Sequence, residues 1–208
     1  MSETAEELCA RLSAIPTPNI GDAMERLGVL HSSIKPIWPG ARLVGPAFTV
    51  WTRAGDNAVL HRAVAEAASG DVIVVNGQGD ETRALMGELI GARARNAGIA
   101  GFVIDGAARD ADGLMKLAVP VFARTTCAAG PYKHGPGLLE CPVAVGGVAV
   151  LPGDIVVADE EGVVIIPRSR AETVVAEAEA IQQGEARKME AILADGGRNS
   201  EVDPCAAQ

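Results

Sequence analysis

The chain has 208 residues, of which 48% are hydrophobic and 22% are charged, as expected for one folded globular domain. The formal net charge of −9 disfavours nucleic acid as a partner, because an acidic surface repels the phosphate backbone. No apolar run is long enough to span a membrane, and the start of the chain lacks a signal-peptide core. The four cysteines form no C-x-x-C pair, so we expect a cytoplasmic protein with reduced thiols and no structural zinc.

The first third of the chain contains helix signals on both sides of one strand pattern. Thr4 and Glu7 have the spacing of a capping box, which predicts the start of the first helix. For the second helix, Asn19 is the expected N-cap and Gly28 the expected C-terminal stop. The patterns predict helices at 4–15, 17–29 and 56–70, with a strand at 43–52.

The middle of the chain alternates buried strands with a helix. Short apolar runs predict strands at 71–76, 99–104 and 119–124, and a helix should begin near Gly87 and end before Gly98. Between the first of these strands and the helix, the sequence NGQGD predicts a glycine-rich loop. Its G-x-G-D spacing lacks the third glycine of a dinucleotide site and the lysine of a Walker motif. A turn that needs glycine dihedrals is therefore favoured over a nucleotide site.

The last third changes from alternating helices and strands to hairpins. One hairpin is predicted at 143–150 around Gly146 and Gly147, and a second at 154–167. A long helix is expected at 169–196, with a break near Gly184. Such hairpins do not suit a purely parallel Rossmann sheet, so we predict a three-layer mixed α/β fold. One domain should cover 1–195, and the polar residues 196–208 are expected to be disordered.

Candidate site residues cluster in DGAARDAD, which runs from Asp105 to Asp112. Arg109 and Asp110 follow a predicted buried strand, and the ends of such strands commonly carry sites in α/β sheets. A loop salt bridge is the plain alternative for this pair. Glu88, at the start of the preceding helix, would add a second carboxylate beside free helix N–H groups, which are a ready seat for an anionic ligand.

The histidines and cysteines carry weaker signals. His31, His61 and His134 share no metal-ligand spacing, and each is expected to be structural or exposed. His134 lies in KHGPG, a loop that could flank a site. The cysteines are expected to be small core residues rather than nucleophiles, and no nucleophile elbow is present.

At Glu88, Arg109 and Asp110 the sequence resembles the RraA-like family, which includes class II 4-hydroxy-4-methyl-2-oxoglutarate / 4-carboxy-4-hydroxy-2-oxoadipate aldolases. The resemblance extends from TPNIGDAMERLG through GDVIVVNGQGD and GELIGARARNAGIAGFVIDGAARD to PGDIVVADEEGVVIIP. These aldolases carry an acid, twenty intervening residues and then Arg-Asp; here the acid is Glu88, where the family usually has Asp. The resemblance implies a swivelling β/β/α fold, assembled as trimers or hexamers with the site between subunits.

The resemblance also implies roles for the site residues. Asp110 would hold Mg²⁺ or Mn²⁺, and Arg109 would stabilise the enolate that forms when a 4-hydroxy-2-oxo acid is cleaved to pyruvate. Glu88 would orient or deprotonate a water that removes the hydroxyl proton. Glu185 is a candidate for the glutamate that a neighbouring chain contributes. The pyruvyl carboxylate would be bound by main-chain N–H groups at the start of the helix, around Gly87, Leu89 and Ile90.

Three functions stay open at this point. The leading hypothesis is a metal-dependent lyase that also decarboxylates oxaloacetate, because both reactions form the same pyruvate enolate. The family also contains non-enzymatic regulators of ribonuclease E that act by binding a protein. A small-molecule binding module that uses the site without turnover is the third. The Glu88, Arg109 and Asp110 set favours the lyase.

Overall fold

The computed structural model describes residues 3–194, so the predicted disordered segment 196–208 lies outside the described residues. In that part of the chain, no helix is long and apolar enough to cross a membrane. The helices are α1 (Ala5–Leu12), α2 (Thr17–Ala23), α3 (Ala58–Glu66), α4 (Glu88–Ala97), α5 (Ala111–Lys116) and α6 (Ala171–Ala194). The strands are β1 (Lys35–Pro36), β2 (Leu43–Thr52), β3 (Val72–Met86), β4 (Gly101–Ala108), β5 (Val121–Thr126), β6 (Gly137–Leu139), β7 (Val143–Val145), β8 (Val148–Val150), β9 (Ile155–Asp159) and β10 (Gly162–Ile166).

One mixed sheet organises the molecule, with the strand order β1-β5-β4-β3-β2-β9-β10. Strands β2, β3, β4 and β5 run parallel, and helices connect successive members of this set, as parallel pairing requires. Strand β2 pairs with β9 through its first residues and with β3 and β6 through its later ones. The β9–β10 hairpin therefore joins the parallel part of the sheet through β2.

Three hydrophobic clusters show how the layers stack. The first lies between the parallel strands and helices α3, α4 and α5. The second lies between the opposite face of those strands and the two hairpins, and the third lies between β9–β10 and helices α1, α2 and α6. Helices thus cover both outer faces of two stacked β layers. The predicted mixed α/β fold is confirmed, with a helical layer on each side.

Strict alternation of side chains explains the long apolar runs. In β3, Val72 and Val74 enter the second cluster, whereas Ile73 and Val75 enter the first. Strands β9 and β10 alternate in the same way between the second and third clusters. Since both faces are buried, these strands need apolar residues at every position. Both predicted hairpins are confirmed, and the positive φ angles of Gly146 and Gly147 fit the tight turn between β7 and β8.

The predicted N-cap and C-terminal stop of the second helix are wrong. Helix α2 begins at Thr17 and ends at Ala23, so Gly28 lies beyond it. Its first N–H group is satisfied from a distant strand: Thr17 N–H donates to Asp159 Oδ2 at 3.0 Å. Asn19 is buried inside the helix, and its amide donates to Glu185 Oε2 at 2.5 Å. A carboxylate 142 positions away in the chain replaces the local cap that the sequence suggested.

Three other features of the structure differ from what the sequence indicated. The predicted glycine-rich loop after Asn76 continues β3 as a bulged strand that pairs with β4 up to Met86. Gln78 and Gly79 still have positive φ angles, as the turn interpretation of NGQGD requires. Helix α6 continues through Gly184 without a break, because strong helix formers surround this glycine. Helix α5 was not predicted; it starts directly after Asp110.

Candidate functional site

The site lies where β3 and β4 end side by side. The strand register places Met86 opposite Ala108, so the residues that follow each strand emerge together. Arg109 N–H donates to the carbonyl of Met86 at 3.0 Å, which fixes the exit of β4 against the exit of β3. Helix α4 begins at Glu88, directly after this junction. The sheet register therefore brings Glu88 close to Arg109 and Asp110 within one chain.

Direct contacts join the three predicted residues. The Glu88 main-chain N–H donates to Asp110 Oδ2 at 3.1 Å, so this carboxylate occupies the positive end of helix α4. Arg109 Nε lies 3.5 Å from the same oxygen. Gly87 is required by this close approach, because an added Cβ would overlap the Asp110 carboxylate and lie 2.9 Å from Arg109 Cγ. Glycine at this position lets all three groups converge.

Backbone strain and exposure distinguish Asp110 from a structural acid. Its φ of 60° and ψ of 43° are left-handed, a conformation that is uncommon for residues other than glycine and is often found at functional sites. Its side chain is 43% exposed, and Arg109 is similar at 42%. The Glu88 side chain packs over Gly113, where an added Cβ would lie 2.6 Å from Glu88 Cδ. In the described part of the chain, the Glu88 carboxylate accepts no hydrogen bond.

Two cavities share the Arg109–Asp110 pair as part of their lining. The first, which we call the inner cavity, has a volume of about 100 Å³ and is lined by Asn57, His61, Gly87, Arg109 and Lys133 among others. The second, the outer cavity, has a volume of about 380 Å³. Thr126 and Cys127 line it together with the pair. A ligand held at Arg109 and Asp110 can extend into either space.

Asn57 supplies a polar group that the sequence interpretation missed. Its side chain is only 4% exposed, and its Nδ2 donates to the Leu85 carbonyl at 2.9 Å. Its Oδ1 is the one buried side-chain nitrogen or oxygen atom without a hydrogen-bond partner in residues 3–194. A buried acceptor left unsatisfied costs about 1–3 kcal/mol, which makes this oxygen an unusual polar atom in a residue that lines the inner cavity. The sequence signal that could have identified Asn57 is the pair Asp56-Asn57 directly before α3.

Basic side chains lie at or next to the lining of the inner cavity. His61 and Lys133 line it, and Arg93 Nη1 lies 3.2 Å from His61 Nδ1. Burial lowers the pKa of His61, and the positive charges of Arg93 and Lys133 lower it further. The ring is therefore neutral near pH 7, with Nδ1 as the acceptor. His61 was expected to be structural or exposed; it is exposed, yet it faces this cavity.

The other predicted residues occupy different positions. The Ile90 N–H donates to the Gly87 carbonyl at 3.1 Å, whereas the Leu89 N–H meets no acceptor in the described segment. The Leu89 side chain is 80% exposed beside the inner cavity. Glu185 lies on α6 and accepts a hydrogen bond from Asn19 of its own chain. It lines neither the inner nor the outer cavity of the described structure.

The family model described as "RraA-like: Aldolase/RraA" matches residues 17–165. This chain belongs to the RraA-like family. A protein of Halalkalibacterium halodurans named "Putative 4-hydroxy-4-methyl-2-oxoglutarate aldolase" is 40% identical over 192 residues, which cover 92% of this chain and 91% of the relative.

Solved structures of the family are similar over most of the chain. Streptomyces coelicolor RraAS2, described as an unusual member of the RNase ES inhibitor RraA family, superposes with a TM-score of 0.80 at 29% identity. That alignment covers 91% of this chain and 98% of RraAS2. The RNA-processing inhibitor RraA of Thermus thermophilis gives a TM-score of 0.65 at 29% identity, over 80% of this chain and 94% of its own. Family membership alone is therefore compatible with an aldolase or with a regulator.

Proposed function

We propose that this protein is a divalent-metal-dependent lyase that cleaves a 4-hydroxy-2-oxo acid to pyruvate and a second oxo acid. Supporting this, the Arg109 guanidinium and the Glu88 main-chain N–H both meet the Asp110 carboxylate at the start of α4, beside a cavity whose wall includes Asn57 with its unsatisfied buried oxygen. The aldolase name of the 40% identical relative agrees with this chemistry. The same site would decarboxylate oxaloacetate, because loss of CO₂ also leaves a pyruvate enolate.

Arg109 is assigned to the charge that develops during cleavage. Breaking the bond between C3 and C4 places negative charge on the former keto oxygen, and a guanidinium stabilises it through directed N–H groups. The main chain of Arg109 is fixed to Met86, and its side chain borders both cavities. It can therefore face a substrate that spans them.

Glu88 is assigned to proton transfer. The substrate's C4 hydroxyl must lose a proton as the carbon–carbon bond breaks, and an exposed carboxylate can accept it through a water. The Glu88 carboxylate accepts no hydrogen bond in the described structure. It lies against Gly113 and lines neither cavity, so the proposal needs a water to carry the proton to it.

Asp110 fits the ligand requirements of Mg²⁺ or Mn²⁺. Its Oδ2 is used by the Glu88 N–H, while Oδ1 has no partner in residues 3–194 and the side chain is half-exposed. No group of three or more His, Cys, Asp or Glu side chains in that range is arranged as a complete metal site. Mg²⁺ commonly takes one or two carboxylates and keeps several waters, so one ligand suffices. When bound, the ion would polarise the substrate's keto oxygen.

The regulator alternative rests on the solved RraA structures. A regulator that acts by binding a protein has no need for a left-handed Asp110 beside a glycine that admits its carboxylate. Nor does it need an unsatisfied amide oxygen in the wall of the adjoining cavity. These features favour the lyase.

We propose that the enzyme works as a cytoplasmic homotrimer or hexamer with the site between subunits. Leu89, 80% exposed at the site, supports this, because burial of such a side chain against a second copy would be favourable. Exposed Met189, Ile192 and Leu193 near the end of α6 offer a second apolar surface. The same proposal assigns Glu185 of a neighbouring chain to the site.

An oxaloacetate decarboxylation assay tests the function. Activity should disappear with EDTA and return with added Mg²⁺ or Mn²⁺, since a single carboxylate binds the ion weakly. Arg109→Ala should lower kcat by about a hundredfold to a thousandfold, as for removal of one oxyanion donor. Full turnover after chelation would refute the metal mechanism, and an inactive wild type with metal present would favour the regulator.

A further inference from the structure

Strand β4 contains a β-bulge just before it reaches the site. Ile104 pairs with Ala123 of β5. The next regular pair is Ala107 with Thr125, so the two β4 residues at 105–106 lie opposite a single residue of β5. Bulges are rare between parallel strands and are over-represented next to active sites, where they redirect the chain. The position of this bulge determines how far β4 has advanced when it ends beside the site.

The other neighbour of β4 shifts its register at the same place. In β3, Asn76 lies opposite Asp105 and Asp80 lies opposite Gly106, so the register skips residues 77–79. The regular ladder of main-chain hydrogen bonds is therefore interrupted on both sides of β4, at Asp105 and Gly106. Because the ladder is interrupted there, other contacts must hold this part of the strand in register.

The Asp105 side chain supplies such contacts. Asp105 is only 7% exposed, and one of its carboxylate oxygens pairs with Nε of Arg124, the β5 residue opposite the bulge. The other oxygen accepts the Gly146 N–H at 2.8 Å, from the turn between β7 and β8. Arg124 Nη1 donates in turn to Ser33 Oγ at 3.1 Å. One ion pair therefore joins both strands of the bulge to a hairpin turn and to the loop before β1.

Stability alone does not account for an ion pair at this position. Removing two charges from water costs free energy, and a buried pair often contributes no more to stability than well-packed apolar side chains do. An ion pair adds direction, since the guanidinium N–H groups and the carboxylate oxygens have a fixed geometry. Neither Asp105 nor Arg124 lines the inner or the outer cavity, so the pair acts on the site through the strand and not by contact with a ligand.

We propose that Asp105 is a positioning residue of the lyase, an inference that rests on the proposed function. Together with Arg124 it holds the bulge, and the bulge sets where β4 delivers the Arg109–Asp110 pair. Slippage of the bulge by one residue would move the end of β4 by about 3.3 Å relative to β5, the rise of one residue in a parallel strand. A displacement of about 1 Å at a catalytic group already costs about a hundredfold in rate. The ion pair is therefore expected to affect kcat.

Two variants separate positioning from stability. Arg124→Met leaves the Asp105 carboxylate buried without its partner, so the Tm should fall strongly. In the combined variant Asp105→Asn/Arg124→Met neither charge remains, and the Asn oxygen can still accept the Gly146 N–H, so the Tm should be higher than in Arg124→Met. Its kcat for oxaloacetate decarboxylation should nevertheless stay about tenfold to a hundredfold below that of the wild type, with a smaller change in KM. Recovery of kcat together with Tm would overturn the positioning role.

A second ion pair provides the matched control. Arg11 of α1 pairs with Glu179 of α6 at 2.7 Å, and neither residue lines the inner or the outer cavity. Arg11→Met/Glu179→Gln removes this pair in the same way as the combined variant removes the pair at the bulge. The control should lower the Tm and leave kcat unchanged. An equal loss of kcat in the control would reduce the Asp105 pair to a general structural role.

Hydrogen exchange tests the positioning without any turnover. The Arg109 N–H donates to the Met86 carbonyl, and the Glu88 N–H donates to Asp110 Oδ2. Both amides should exchange at least about tenfold faster in the combined variant than in the wild type, whereas the amides of β9 and β10 should be unaffected. Unchanged protection of both amides, or the same acceleration in β9 and β10, would overturn the inference. If the wild type decarboxylates no oxaloacetate, the proposed function fails, and this measurement still decides whether the pair positions the end of β4.

Discussion

Gly87→Ala is the sharpest perturbation of the site, because it adds a single methyl group where three functional residues meet. The added Cβ would overlap the Asp110 carboxylate and lie 2.9 Å from Arg109 Cγ. The φ of Gly87 is −157°, which any residue adopts, so backbone strain plays no part. The methyl group must instead displace the Asp110 side chain, and with it the hydrogen bond from the Glu88 N–H.

The expected loss of stability is small and the expected loss of activity is large. Overpacking costs about 1–3 kcal/mol in a dense core, and Asp110, being 43% exposed, can move into solvent. We therefore expect about 1 kcal/mol, equivalent to a fall of about 2–4 °C in Tm for a chain of this size. A catalytic group displaced by about 1 Å loses about a hundredfold in rate, and the same is expected for oxaloacetate decarboxylation.

Thermal unfolding and the decarboxylation assay together check this prediction. Gly184→Ala is the matched control: Gly184 lies inside α6 with open space around it, so alanine should stabilise the helix by about 0.5–1 kcal/mol and leave the rate unchanged. If Gly87→Ala kept wild-type activity, the close approach of Gly87 and Asp110 would not be required for catalysis, whatever the Tm of the variant.

Two further outcomes follow from the same site. Glu88→Gln should impair aldol cleavage much more than oxaloacetate decarboxylation, because only the first reaction removes a hydroxyl proton; equal losses in both rates would withdraw the base assignment. Light scattering at micromolar concentration should give the mass of a trimer or hexamer, whereas a mass near the 21.3 kDa of one chain, with activity retained, would contradict a site shared between subunits.

The sequence was sufficient for features that depend on neighbours along the chain. The capping box of Thr4 and Glu7 is present, with both reciprocal hydrogen bonds. Helix α4 starts next to Gly87 and stops at a left-handed Gly98, as its glycines indicated. Periodicity located the buried strands and both hairpins, because a strand buried on both faces leaves a continuous apolar run. Glu88, Arg109 and Asp110 were recognised as a motif by their spacing and family resemblance.

Only the tertiary structure decided which distant segments contact those elements. The cap of α2 comes from Asp159, and the bulged extension of β3 is stabilised by its register with β4. That register, with Met86 opposite Ala108, places Glu88 beside Asp110. Asn57 and Lys133, which are far apart in the sequence, line the same cavity. Local propensity carries no information about such contacts, because they depend on which strands pair and in which register.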